Sequence, residues 1–350
     1  MNSQNKENLL DQSNGGENMK EASPVSNFVK DLEGQAFISG LEIINAKVPE
    51  HNWLIDGILP LNTICVLSGP SDTGKSILAR QIAVAAALGK NEVAGFKLNL
   101  TYNSSMYIST EDSVQDWQEK LLKYKLTEEE IKRLTNLTWS STYNLKLIEK
   151  RLATNPVDIL IIDVFSDTFE QDINNAIQVR KHFLQYKELA ARYGCTVLFI
   201  HHVSKKGEAG APSKANVLGS QGIESSMRCV LELRSDPKED DCRHLIITKS
   251  NYLSPADKKE AYKLKLDSTL RYEYTGDRSL ISDLSKTRSG TSPALILRIM
   301  ALSDQGLSVR EVEAKIKEEG YSLCRSRINE IIRQQRAGKT SPGDACPVAI

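Results

Sequence analysis

The sequence predicts an α/β fold with a mostly parallel sheet, followed by a small helical module. Three observations predict it. Apolar runs at 63–68, 105–109, 158–163 and 195–200 read as buried strands, and the run before Asp163 has the unbroken character of a strand covered on both faces. Helical patterns at 77–88, 145–152 and 176–193 alternate with them, the order of parallel βαβ units. Gly69-Pro70-Ser71-Asp72-Thr73-Gly74-Lys75-Ser76 has the form G-x-x-x-x-G-K-[ST] and stands between a strand and a helix, the context in which that motif cradles phosphate.

Residues 1 to about 32 are dominated by Asn, Ser, Gln, Glu, Lys and Gly and read as a disordered tail, which we extend to residue 45. An α/β domain follows at 46–275. Trp53 precedes its first strand and reads as a core anchor rather than a contact to a nucleotide base. The helix after the glycine-rich loop is rich in Ala and Leu and closes at Gly89. The 105–109 strand leads into Thr110-Glu111-Asp112-Ser113, then amphipathic stretches at 114–124 and 128–134. The 145–152 helix stops at Asn155-Pro156. In the 176–193 helix, Ala176, Val179, Phe183, Tyr186, Ala190 and Tyr193 recur at spacings of three and four, and Gly194 closes it. The next strand ends in His201-His202. The loop 203–221 carries Lys205, Lys206 and Lys214 and is long enough to suggest a function. Strands are predicted at 229–233, 244–248 and 262–266, the last alternating in the manner of a sheet edge.

A polar linker is predicted at 276–292 and a helical module at 293–336, with a tail at 337–350. In the module, Ser308 and Glu311 form a capping box, and the last helix carries Arg325, Arg327, Arg333 and Arg336. Three short helices fit a helix-turn-helix or winged-helix unit, or else a bundle that packs on the main domain or a partner.

The 350 residues are 40% hydrophobic and 26% charged with a formal net charge of zero, so no global field points to a nucleic-acid partner. Six cysteines lack C-x-x-C spacing, which argues for reduced thiols rather than a disulfide framework or a zinc site. No apolar run approaches a membrane span and the start has no signal-peptide pattern, so a cytoplasmic protein with no membrane partner is expected.

The motif chemistry points to ATP and Mg²⁺. Backbone N–H groups of the loop face the β-phosphate, Lys75 reaches the β- and γ-phosphates, and the Ser76 hydroxyl holds the metal. Asp163, at a strand end, is the second metal-holding candidate, or else caps the following turn. Glu111 is placed to align the attacking water, with Asp112 competing for that role. His202 ends a strand where an imidazole can meet the γ-phosphate. Arg228 and Lys249 are candidates for a cation reaching a neighbouring subunit's nucleotide.

Over 48–274 these residues together resemble the RecA-type ATPases, and within them the hexameric plasmid replicative helicases of the RepA type. The resemblance rests on Trp53-Leu54-Ile55-Asp56-Gly57, the loop from Gly69 to Ser76, Tyr107-Ile108-Ser109-Thr110-Glu111-Asp112, the strand ending at Asp163, and Phe199-Ile200-His201-His202-Val203-Ser204-Lys205. It implies Glu111 as catalytic base, His202 as γ-phosphate sensor and Arg228 as the residue entering the next subunit's site. It also implies that Lys205, Lys206 and Lys214 contact single-stranded DNA in the channel of a homo-oligomeric, hexameric ring, with a replication initiator or primase as partner. Related helicases carry Lys-x-Arg where this chain has Lys249-Ser250-Asn251, and many have Asp-Pro where Val164 follows Asp163. The alternative is a regulatory or DNA-loading ATPase that does not unwind. A small-molecule kinase lacks its arginine-rich lid here, and an ABC-type ATPase its Leu-Ser-Gly-Gly-Gln signature.

Overall fold

β-branched and apolar runs that cannot satisfy their backbone groups alone assemble into one large sheet. The computed structural model describes residues 37–45, 53–204, 207–208, 210–216, 221–254, 256–284, 293–319, 321, 323 and 325–337. The strands are β1 (Trp53–Ile55), β2 (Leu59–Pro60), β3 (Ile64–Gly69), β4 (Glu92–Val93), β5 (Phe96–Lys97), β6 (Ser105–Ser109), β7 (Leu137–Ser140), β8 (Ile159–Asp163), β9 (Thr196–His202), β10 (Cys229–Ser235), β11 (Cys242–Ser250), β12 (Glu260–Leu266) and β13 (Tyr272–Leu280). The helices of the α/β domain are α1 (Gly40–Asn45), α2 (Lys75–Ala87), α3 (Val114–Leu122), α4 (Glu128–Arg133), α5 (Leu145–Thr154), α6 (Ala176–Tyr193) and α7 (Gln221–Ser226). Three more follow: α8 (Pro293–Asp304), α9 (Val309–Glu318) and α10 (Arg325–Ala337).

The main sheet has the order β13-β12-β11-β10-β3-β9-β8-β6-β7. From β10 to β7 neighbouring strands are parallel, and β11, β12 and β13 add antiparallel partners at one side. One face is covered by α2. Its Ala79, Ala83 and Ala86 are essentially inaccessible, and these small side chains let the helix lie close on Leu67, Leu198 and Leu231. On the other face, Ile148 and Leu152 of α5, Val179, Phe183 and Tyr186 of α6, and Ile223 of α7 enclose Val66, Ile162 and Phe199. Burial of both faces explains why β3, β8 and β9 are apolar without alternation.

Several boundaries differ from the sequence reading. α1 lies inside the predicted tail. Its N-terminal end is held locally, with Ser39 N–H donating to Glu42 Oε2 at 2.8 Å and Glu42 N–H donating to Ser39 Oγ at 3.2 Å. β12 is not the edge, because β13 pairs outside it and runs through Gly276 into the predicted linker. β13 is polar and exposed over much of its length, so it carries no buried-strand signal. β7 is a four-residue edge strand that was not predicted. Residues 1–36, 285–292 and 338–350 of the predicted tails and linker lie outside the described residues.

The helices α8, α9 and α10 enclose a separate core of Leu295, Ile299, Leu302, Val312, Ile316, Ile328 and Ile331. The predicted capping box opens α9: Ser308 Oγ accepts from Glu311 N–H, and Ser308 N–H donates to Glu311 Oε2 at 2.8 Å. Among the described residues the unit consists of these three helices, and no strand follows α10.

Candidate nucleotide-binding site

Parallel strands bring their carboxyl ends to one edge of the sheet, where α/β sites form. Here that edge carries Gly69 beside His202 in register, and Ser109 beside Asp163. The loop after β3 turns sharply into α2. Gly74 has φ 84°, and a Cβ there would collide with the Tyr272 hydroxyl. That hydroxyl donates to the Thr73 carbonyl at 3.3 Å, and Arg243 Nε donates to the same oxygen at 3.0 Å. The loop is thus braced from β13 and β11. Gly69 is needed for a close approach as well, since a Cβ would stand 2.5 Å from the Leu233 carbonyl.

Lys75 begins α2 and is 6% exposed. Its ammonium donates to the Pro70 carbonyl at 2.7 Å. Burial lowers its pKa, and Asp163 is the strongest opposing influence, followed by Asp72, Glu111 and Glu208. Asp163 is itself 3% exposed. Tyr107 donates to its Oδ2 at 2.7 Å, while Oδ1 is buried with no hydrogen-bond partner among the described residues. A buried carboxylate oxygen with unused lone pairs suits a water held by Mg²⁺, with the half-buried Ser76 as the other metal-facing group.

Glu111 and Asp112 have different surroundings. Asp112 accepts from Arg80 at 3.0 Å and from Lys120 at 2.5 Å, so both its oxygens are engaged. Glu111 makes no ion pair among the described residues. Partial burial, then Asp163, raises its pKa, while the nearby His202 lowers it. The mutual influence of Glu111, Asp163, His202 and Lys75 comes from their gathering at one edge. His201 faces the opposite way, buried edge-on against Phe165 with ring centroids 5.2 Å apart.

The other candidates lie elsewhere. Arg228 directly precedes β10, and its N–H donates to the carbonyl of Ile64, the first residue of β3. Lys249 pairs with Val230 in the same region, and its ammonium donates to the Glu224 carbonyl at 2.6 Å. Both sit at the edge of the sheet away from Lys75. Lys214 forms an ion pair with Glu224 at 2.7 Å and is 53% exposed. Lys205 and Lys206 lie outside the described residues. Trp53 is half-buried and packs edge-on against Tyr252, with centroids 5.6 Å apart.

Sequence reasoning missed a buried pair behind the site. Arg234 Nε donates to Glu232 Oε1 at 2.6 Å, and the two side chains are 5% and 0% exposed. Arg234 also donates to the carbonyls of Gly207, Glu208 and Gly210, holding the segment after β9. The signal was present in Glu232 and Arg234, two charges on one face of an otherwise apolar strand.

The sheet order, the braced phosphate loop and the convergent carboxylates define a P-loop nucleotide-binding domain. A family model described as "AAA domain" matches residues 37–208. The DNA repair protein RadA of Chlamydia pneumoniae is 28% identical over 189 residues, which make up 50% of this chain and 37% of that protein. The chain therefore spans little more than a third of that relative's length. The ATPase domain of G40P superposes with a TM-score of 0.49 at 12% identity, covering 61% of this chain and 84% of that one. The AAA-domain match and the phosphate loop between β3 and α2 support a P-loop ATPase that resembles the RecA type and its RepA-like helicases. No described helix is long and apolar enough to cross a membrane.

Proposed function

We propose that the chain is an ATP-hydrolysing oligomeric motor on single-stranded DNA, a RepA-like replicative helicase of a plasmid or mobile element. One observation carries the reading: Arg228 and Lys249 stand at the edge of the sheet opposite Lys75. The six residues of β3 separate the two edges by about 20 Å. A cation there cannot touch a phosphate held in its own subunit. In a head-to-tail ring it meets the phosphate of the next one. The charges suit that arrangement. Lys187, Lys214, Arg228 and Lys249 share one region, while Asp72, Glu111, Asp163 and Asp167 crowd the other.

Within this reading Lys75 and the loop amides bind the phosphates, and Ser76 and Asp163 would hold Mg²⁺, which would supply positive charge against that of the triphosphate. Glu111 orients the water and His202 registers the γ-phosphate. Lys205, Lys206 and Lys214 track the DNA backbone. The RadA relative is described as a DNA repair protein, which supports work on DNA.

The test is ATP turnover with and without single-stranded DNA, with native mass measured alongside. Lys75→Ala and Arg228→Ala should each be inactive alone. Mixed, they should regain turnover, because one intact composite site can form between them. Failure of that complementation removes Arg228 from the trans role, and a monomer with full turnover removes the ring. Strand displacement on forked DNA separates the motor from a loading or regulatory ATPase.

A further inference from the structure

We propose that the C-terminal module binds duplex DNA, with α10 in the major groove, as a function separate from the ATPase site. Its charges are unevenly placed. α9 carries Arg310, Lys315 and Lys317 against Glu311, Glu313 and Glu318, and α8 carries Arg298 against Asp304, so both are formally neutral. α10 carries Arg325, Arg327, Arg333 and Arg336 against Glu330, four positive less one negative, for an excess of three. The basic excess of the three helices therefore lies on the second helix of the α9–α10 pair, the one that enters the groove in helix-turn-helix proteins.

The packing presents that helix. Ile328, Ile331 and Ile332 face the module's core, and Ser326, Asn329 and Arg333, at spacings of three and four, are exposed. Ion pairs fix its pose: Arg325 with Glu313 of α9 at 2.6 Å, and Arg336 with Asp304 of α8 at 3.6 Å. Arg298 pairs with Glu319 at 2.5 Å across the module. These pairs also neutralise three of the module's acids. Asn and Arg are the side chains whose paired hydrogen-bonding groups match adenine and guanine edges in the major groove.

A protein-docking face would instead expose apolar side chains. The large apolar residues exposed in the module are Leu297, on α8, and Tyr321, in the connection before α10; none of those described lies on α10 itself. That connection has six residues, longer than the tightest helix-turn-helix turns. Tyr321 within it is 43% exposed, placed to meet the sugar–phosphate backbone beside the groove.

The experiment uses the full chain and follows fluorescence anisotropy with labelled duplex DNA and, in parallel, labelled single-stranded DNA across a salt series. The unmodified chain should bind duplex with affinity falling steeply in salt. Asn329→Ala with Arg333→Ala should lower duplex affinity by about tenfold or more. ATP turnover, single-strand affinity and the thermal transition should stay unchanged. Arg333→Lys should recover the salt-dependent part alone. Unaltered duplex affinity in the double variant overturns the proposal. So does joint loss of duplex and single-strand binding, which would make α10 a general nucleic-acid contact and not a separate duplex reader. A failed motor assignment would show instead as absent DNA-stimulated turnover with duplex binding intact.

Discussion

Replacing Arg234 with alanine should destabilise the ATPase domain through a residue that never meets nucleotide. The guanidinium is nearly inaccessible and makes four hydrogen bonds: to Glu232, and to the carbonyls of Gly207, Glu208 and Gly210 at 2.7–3.2 Å. Glu232 is fully buried, and burial already raises its pKa despite the arginine. Alanine removes the charged partner and leaves the buried carboxylate with the Ser213 N–H, at 3.1 Å, but no cation to balance it. Breaking a buried pair in this way costs about 3–5 kcal/mol. In a domain of this size that lowers the melting temperature by about 10 °C. Replacing both members, Glu232→Leu with Arg234→Met, should restore most of that loss, because no unpaired charge remains. The three carbonyls would still lack their donor. The double variant should therefore be stable yet show weakened stimulation by single-stranded DNA, if the segment after β9 carries that contact. Thermal unfolding and DNA-stimulated turnover read the two effects separately. The reasoning fails if Arg234→Ala costs under about 1 kcal/mol, or if the double variant is as unstable as the two single changes added together.

Two further outcomes follow from the same geometry. Asp112→Asn should lower stability by about 3 kcal/mol, since Arg80 is 2% exposed and would lose its charged partner, whereas Glu111→Gln should leave stability within about 0.5 kcal/mol and stop hydrolysis while keeping ATP binding. Thermal unfolding beside turnover distinguishes them, and the reverse pattern would exchange the two roles. His182 is enclosed by Phe165, Phe169, Phe183 and Tyr186, and burial lowers its pKa from 6.5 to about 4. Between those values the unfolded chain takes up a proton that the folded chain refuses. Stability is therefore full above the unfolded value and falls as pH drops towards 4, by about 2 kcal/mol once screening by nearby solvent is allowed for. His182→Phe should flatten that slope in melting-temperature measurements, and an unchanged slope would contradict the burial argument.

The parts of the site that could be read in the sequence share one physical property. Gly69, Glu111, Asp163 and His202 end or follow apolar runs, so an abrupt change from buried strand to polar residue marks each one. A parallel sheet then brings those ends together without any further signal. The bracing residues could not be read in the same way. Arg243 and Tyr272 reach the Thr73 carbonyl across 170 and 199 residues of chain, from strands whose polar, alternating sequences resemble ordinary surface hairpins. The choice between Glu111 and Asp112 also needed partners distant in sequence, because Arg80 lies 32 residues before Asp112 and on another element. For Arg228 the difficulty was one of direction. Its place before a strand was visible, but only the register of β10 on β3 puts it at the edge away from the phosphate loop. A cation whose own sheet separates it from its own nucleotide can contribute to hydrolysis only through a second subunit. Under the proposed reading, the register of β10 on β3 is what directs Arg228 to the nucleotide of a second subunit.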